Sequence, residues 1–182
     1  MTGESSKLAT ERLVLREPVA ADAPALLAYH RRNAERLTRW DPPRGTEVEQ
    51  HRRWIEWRDA ERACGRGIAW LAFARTAEAE LVGQVQLDGI SREPQPSGML
   101  AYSVDGAFEG QGYAAEAVAA VIAYAFGELG LDLVNASYDP ANERSGALLR
   151  RLGFAEVVRT PVVPGFERHL RAQVLVTLAR AR

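Results

Sequence analysis

The stretch Glu109-Gly110-Gln111-Gly112-Tyr113-Ala114 sits between a strand-like run and a helix-like run, and it constrains the fold more than any other part of the chain. Upstream, Met99-Leu100-Ala101-Tyr102-Ser103-Val104 reads as a strand. Downstream, Val118, Val121, Ile122, Ala125 and Phe126 recur at i, i+3, i+4, i+7 and i+8, the apolar face of a helix. A glycine-bearing turn between the two leaves the first helical N–H groups without intrahelical partners. With the positive end of the helix dipole, those donors suit a phosphate or pyrophosphate. Gly110 and Gly112 help because a missing Cβ admits a ligand to the backbone and permits positive φ. The spacing is neither G-x-x-x-x-G-K-[ST] nor G-x-G-x-x-G, so the Walker-type lysine is absent. Two readings stay open from these residues: an anion cradle, or an ordinary glycine-eased turn.

The 182 residues suit one domain spanning the chain, with residues 1–9 as a flexible tail. The 23 basic and 24 acidic residues leave a formal net charge of −1, which gives no support to a nucleic-acid footprint over the whole chain. Arg31, Arg32, Arg36 and Arg39 form a local basic cluster that reads as a solvated helix face, since Glu35 and Asp41 interrupt its surroundings. Cys64 stands alone, which rules out an intrachain disulfide and a cysteine-rich metal site. His30, His51 and His169 lack ligand-like spacing and read as surface or packing residues. No run approaches ~18 apolar residues, and the N-terminus has no apolar signal region. A soluble, cytoplasmic protein without metal or membrane contact is expected.

Leu13 and Leu15, alternating with Arg12 and Arg16, read as a first half-buried strand. Asp22 is the expected N-cap of a helix carrying Leu26, Leu27 and Tyr29. A second helical piece runs from Ala34 to about Arg39, where Asp41-Pro42-Pro43 stops it. Thr46 and Glu49 suggest a capping box for a third helix holding Trp54, Ile55 and Trp57, closed by Gly65 and Gly67. Strands are expected over Ile68 to Ala74, Leu81 to Leu87, Leu131 to Asp139, Phe154 to Arg159 and Ala172 to Leu178. Before the last two, a helix opens at Asn142-Glu143-Arg144-Ser145 and ends at Gly153. Asn142 is well placed as its N-cap. Ser145 shares the apolar stripe with Leu148, Leu149 and Leu152, where a hydroxyl needs a partner.

Together the two constellations resemble the Gcn5-related N-acetyltransferase (GNAT) superfamily, in its branch of ribosomal-protein alanine/serine N-acetyltransferases (RimJ/RimL-like). Four segments carry the resemblance across nearly the whole chain. Thr10 to Arg16 looks like the opening strand, and Leu81-Val82-Gly83-Gln84-Val85 like the middle strand. Glu109 to Ala117 looks like the acetyl-CoA signature, and Asn142-x-x-Ser145 closed by Leu152-Gly153-Phe154 like the final helix. The resemblance implies an α+β fold: a mostly antiparallel, seven-stranded mixed sheet, splayed between its fourth and fifth strands after Val104, with helices on both faces. Acetyl-CoA would lie in the gap, its pantetheine amides pairing with backbone near Ser103 and Val104 and its pyrophosphate held from Gly110, Gln111, Gly112, Tyr113 and Ala114. Asn142 would bond the pantetheine arm or a nearby water.

The chemistry so implied is attack of a neutral amine on a thioester. The N–H of Val104 or its neighbour is the suggested oxyanion donor. Ser145 is the candidate proton donor to the thiolate, because Leu149 holds the position where many relatives carry tyrosine; Tyr138 and Tyr102 are the alternatives. Glu109 replaces the usual arginine or glutamine of the signature, so its side chain is expected to point to solvent, away from the pyrophosphate. Met99 and Leu100 stand where relatives often carry a glutamate, which leaves Glu167 or a water-mediated route for the base. Trp40, Tyr102 and the segment around Trp54 could line the acceptor pocket, although Trp54 and Trp57 also read as core. The acceptor is a primary amine, either a protein N-terminal Ala or Ser or a small molecule. A non-catalytic acyl-CoA-binding or regulatory module and a nucleotide-binding α/β protein are the alternatives. Dimerisation is a plausible property of the branch.

Overall fold

The structure is a computed structural model that describes residues 6–75, 80–161 and 172–181. The described elements run β1 (Lys7–Ala9), β2 (Leu13–Arg16), α1 (Ala23–Arg32), α2 (Ala34–Leu37), α3 (Val48–Ala63), β3 (Ile68–Ala74) and β4 (Leu81–Ser91). They continue β5 (Ser97–Val104), α4 (Tyr113–Gly127), β6 (Leu133–Tyr138), α5 (Glu143–Arg151), β7 (Ala155–Thr160) and β8 (Gln173–Ala179). The strands form one sheet ordered β1-β2-β3-β4-β5-β6-β8-β7. Every pairing is antiparallel except that of β5 with β6.

Eight strands are seen where seven were expected, because β1 falls in the stretch assigned to a flexible tail. Its residues pair with β2 from Lys7↔Arg16 to Ala9↔Val14, and Ser6 is held through its N–H and hydroxyl by the Glu17 carboxylate. The capping box of α3 also differs by one residue: the Glu47 N–H donates to the Gln50 side chain at 3.0 Å. Asp22 caps α1 by position only, because its carboxylate is taken by Arg16 and by the Val19 N–H.

The feature that shapes the site is the parallel pairing of β5 with β6. It runs from Ser97↔Leu133 to Leu100↔Ala136 and stops there, whereas β5 continues along β4 to Gly83↔Val104. Ala101 to Val104 therefore carry an open backbone edge on the side β6 has left. The helices cover both faces. Val118, Val121, Ala125 and Leu149 from α4 and α5 pack on Leu13, Leu15, Trp70, Val85 and Leu100 in the larger core. Leu26, Tyr29 and Ile55 from α1 and α3 pack on Leu71 and Leu81 in a second one. Each such buried side chain contributes about 1.5–3 kcal/mol of transfer free energy. Two cores on opposite faces hold the splayed edge between them.

Candidate functional site

Gly112 caps α4 with φ +86°, and Gly110 has φ +72°. Both lie in the left-handed region that only glycine enters without strain. The first intrahelical bond is from the Glu116 N–H to the Gly112 carbonyl at 3.0 Å, so the N–H groups of Tyr113, Ala114 and Ala115 have no acceptor within the helix. A Cβ on Gly110 would meet nothing within 4 Å, which leaves the backbone open to approach. The turn thus has the donors without helix partners and the dipole orientation that suit an anion.

Arg12 lies against this cradle, a placement the strand pattern around Leu13 did not reveal. Its Nη1 donates to the Gln111 carbonyl at 3.0 Å, and its guanidinium lies 4.2 Å from the centre of the Tyr113 ring. Glu116 fixes Arg12 through its Nε at 2.7 Å and its backbone N–H at 2.8 Å, while Thr10 donates to the same carboxylate. The carboxyl of Glu116 is held below its ordinary range because these donors outweigh the opposing, and largest, effect of burial.

Glu109 does not point to solvent as expected. Its Oε1 accepts from Arg36 Nη1 at 2.5 Å, and its Oε2 accepts from Arg144 Nη1 on α5. Two guanidinium groups neutralise the carboxylate, so it can stand beside an anion site without repelling it. The same bonds correct the reading of the basic cluster as a solvated face at one position, Arg36. Arg36 also donates to the Val104 carbonyl and to Asn33 Oδ1, and Arg32 Nε donates to Asp105 Oδ2 at 2.5 Å. Asn33 in turn donates to Asp105 and accepts from the Gly106 N–H. The junction of α1 and α2 is thereby clamped to the end of β5; Arg31, Arg32 and Arg39 keep the exposed character expected of the cluster, and Arg36 is half-buried.

The Asp105 N–H donates to the Val82 carbonyl on β4 at 2.7 Å. Alternation along a strand then turns the N–H of Val104 and the carbonyl of Tyr102 to the opposite, open edge. Consecutive side chains leave on opposite faces. Tyr102 lies on the α4 face with its hydroxyl 2.8 Å from Ser145 Oγ, across the gap on α5. Burial, only partly offset by that bond, raises the Tyr102 pKa. Asn142 caps α5, its Oδ1 accepting from the Ser145 N–H at 3.2 Å. Tyr138 is a core residue whose ring packs beneath Gly146, so of the two candidate phenols it is Tyr102 that reaches Ser145. Leu149 is fully buried in the same core. Glu167 lies outside the described residues.

Ser103 leaves on the other face. Its Oγ accepts from the buried Tyr29 hydroxyl at 2.8 Å, and burial pushes the Tyr29 pKa up to about 12. Beside it lies a cavity of about 150 Å³ whose wall includes Gln84, Ser103, His30, Leu37, Thr38 and Arg44. Trp40, Tyr102 and Trp54 are not on that wall: Tyr102 lies on the opposite face and Trp54 packs against the smaller core. Trp57 is half exposed rather than core. Among the described residues no group of three or more His, Cys, Asp or Glu could hold a metal ion, and no helix is long and apolar enough to cross a membrane.

The arrangement combines a glycine turn opening a helix, an open strand edge with a free N–H, and a hydroxyl pair on one face opposite a small cavity on the other. Residues 12–155 match the family described as Acetyltransferase (GNAT) domain. The chain is 31% identical over 153 residues to a [ribosomal protein uS5]-alanine N-acetyltransferase of Escherichia coli strain K12, covering 81% of this chain and 77% of that one. Its fold is similar to the crystal structure of ribosomal-protein-S5-alanine acetyltransferase from Vibrio fischeri, with a TM-score of 0.85, 22% identity and 96% of each chain covered. It is also similar to RimL, a ribosomal L7/L12 alpha-N-protein acetyltransferase solved with coenzyme A, with a TM-score of 0.84, 18% identity, and 96% of this chain and 98% of that one covered.

Proposed function

The chain belongs to the GNAT acetyltransferase family, and on that premise we propose that it transfers the acetyl group of acetyl-CoA to the N-terminal amine of a protein, with Ala or Ser as the leading first residue. The observation that carries this reading is the Tyr102–Ser145 hydroxyl pair, 2.8 Å apart, standing at the open edge of β5 beside the glycine cradle. The acceptor class is supported by the relative from Escherichia coli, which acts on alanine of ribosomal protein uS5. A cytoplasmic setting goes with that acceptor class.

The residues fit the donor. The Tyr102 carbonyl offers a pantetheine amide the bond a further strand would make. The N–H groups from Gly110 to Ala114, with Arg12 alongside, suit the pyrophosphate, each charge-assisted bond contributing about 1.5–3 kcal/mol. Bound there, acetyl-CoA supplies an activated acyl carbon and a thiolate leaving group. The Val104 N–H is placed to stabilise negative charge on the acyl oxygen. Ser145, bonded to a Tyr102 hydroxyl that burial keeps protonated, is the proton source for the departing sulfur.

The test is thiol release across peptides beginning with Ala or Ser, polyamines, aminoglycosides and free amino acids. Turnover is expected on the Ala and Ser peptides, falling by about 10²-fold or more in Ser145→Ala. Acetyl-CoA binding with no thiol released by any acceptor refutes the transferase reading and leaves an acyl-CoA-binding module, for which the burial of Leu149 in place of a tyrosine is the supporting observation.

A further inference from the structure

Two residues that line the cavity beside Ser103 each hold a buried side-chain atom with no hydrogen-bond partner within the protein, Gln84 Oε1 and His30 Nε2. Buried polar atoms are nearly always paired, so two orphans among the residues of one cavity call for a ligand. Gln84 is held opposite Ser103 in the β4–β5 register, at the point where β5 opens. The wall therefore adjoins the strand end that carries the Val104 N–H.

The state of His30 follows from its neighbours. His51 Nδ1 lies 2.9 Å from the Glu47 carbonyl oxygen, which can only accept, so His51 carries its proton there and leaves Nε2 bare. That bare nitrogen lies 2.8 Å from His30 Nδ1, so His30 donates from Nδ1 and keeps a lone pair on Nε2. Burial first, then His51 and Arg44, push the His30 pKa down to about 4. The ring stays neutral at neutral pH, and both orphan atoms are acceptors.

A neutral primary amine has two N–H donors and one lone pair. We propose that His30 Nε2 and Gln84 Oε1 each accept one N–H of the acceptor amine, leaving its lone pair free for the acyl carbon at the Val104 edge, and that this pair selects unsubstituted primary amines in their neutral form. This rests on the acetyltransfer reading above. A secondary amine leaves one of the two acceptors unpaired, which costs about as much as a lost buried hydrogen bond. An ammonium brings a third N–H and a charge that neither acceptor neutralises. Of the exposed charged groups on the wall, Arg31 and Arg44 oppose a further cation and outnumber Asp41. The remaining titratable neighbours, Tyr29 and His51, pack their rings against His30. The volume of about 150 Å³ is that of a cavity able to take a benzene-sized group, enough for an amine with a small side chain.

The experiment follows the histidine ring nitrogens of the full chain by long-range ¹H–¹⁵N NMR. Alaninamide, N-methylalaninamide and N,N-dimethylalaninamide are added in turn, above the α-amino range of about 7.7–8.0. In the free protein His30 is expected as the Nδ1–H tautomer. Alaninamide should move the Nε2 resonance, the monomethyl form less, and the dimethyl form, which has no amine N–H, not at all. No response to alaninamide, or an equal response to all three, overturns the proposal. In turnover, His30→Leu should lower kcat/KM for an Ala peptide roughly tenfold and erase the preference over its N-methyl form. His30→Gln, whose amide oxygen reaches near the Nε2 position, should restore both in large part. Thiol release from primary amines that neither His30→Leu nor Gln84→Leu alters by as much as twofold refutes the proposal while leaving the transferase reading intact. A specific His30 response without thiol release from any amine refutes the transferase reading and leaves the amine site.

Discussion

Acidification should destabilise this protein through one buried histidine, ahead of Asp22, Asp105 and Glu116, whose pKa values are lowered. His30 is 9% exposed, and its pKa is lowered from 6.5 to about 4, chiefly by burial. In the unfolded chain the ring takes a proton below about 6.5; in the folded chain it resists until about 4. The unfolded state binds more protons across that window, so stability present above pH 6.5 is lost as the pH falls towards 4. The full loss is about 3 kcal/mol, of which roughly 2.5 kcal/mol has gone by pH 4.5. Asp22, Asp105 and Glu116 have lowered pKa values, so their contributions are present above the ordinary carboxylate range and are lost only on falling through and below it. The interval from pH 6.5 to 4.5 therefore belongs to His30. Urea titrations at a series of pH values, on the wild type and His30→Gln, measure it directly. The wild type should lose about 2.5 kcal/mol between pH 7 and 4.5, seen also as a Tm lower by roughly 5–10 °C, while the variant stays nearly flat. Parallel curves for the two proteins, or a native His30 that titrates near 6.5 by NMR, would refute the burial argument.

Three other perturbations test the cradle and the packing behind it. Gly112→Ala places a methyl on a backbone at φ +86° and 3.4 Å from Arg12 Nη2; it should cost about 1–2 kcal/mol in stability and weaken acetyl-CoA binding several-fold by calorimetry. Unchanged affinity would mean the turn does not hold the ligand. Glu109→Gln releases Arg36 and Arg144 from their shared carboxylate, so acetyl-CoA should bind a few-fold more tightly at low salt, with the gain shrinking as salt rises. Weaker binding would show that the carboxylate's role is to hold the cradle in shape. Gly146→Ala sets a Cβ 2.7 Å from the Tyr138 ring, an overpacking that should cost about 1–3 kcal/mol and lower Tm by about 2–4 °C per kcal/mol in thermal melts.

Much of the architecture was legible because it is local. The alternation from Met99 to Val104, the helical period from Val118 to Phe126 and the glycines between them act within a few residues, and the turn that joins β5 to α4 has the geometry those residues dictate. Asn142 as a cap is likewise decided by the N–H three residues on. What remained hidden is pairwise. Tyr102 meets Ser145 across 43 residues, Glu109 meets Arg36 across 73, and His30 meets His51 across 21. A period of two or 3.6 says which face a side chain takes, and nothing about which distant side chain shares that face. So Arg36 read as solvated and Glu109 as solvent-facing, until the fold brought the two within hydrogen-bond reach. The sequence by itself determined most of the elements, the glycine turn and the family; the tertiary fold alone decided that residues 7–9 pair as a strand, which charges are paired and which buried acceptors are left open, because burial and partner choice are properties of surfaces that meet only once the chain has folded.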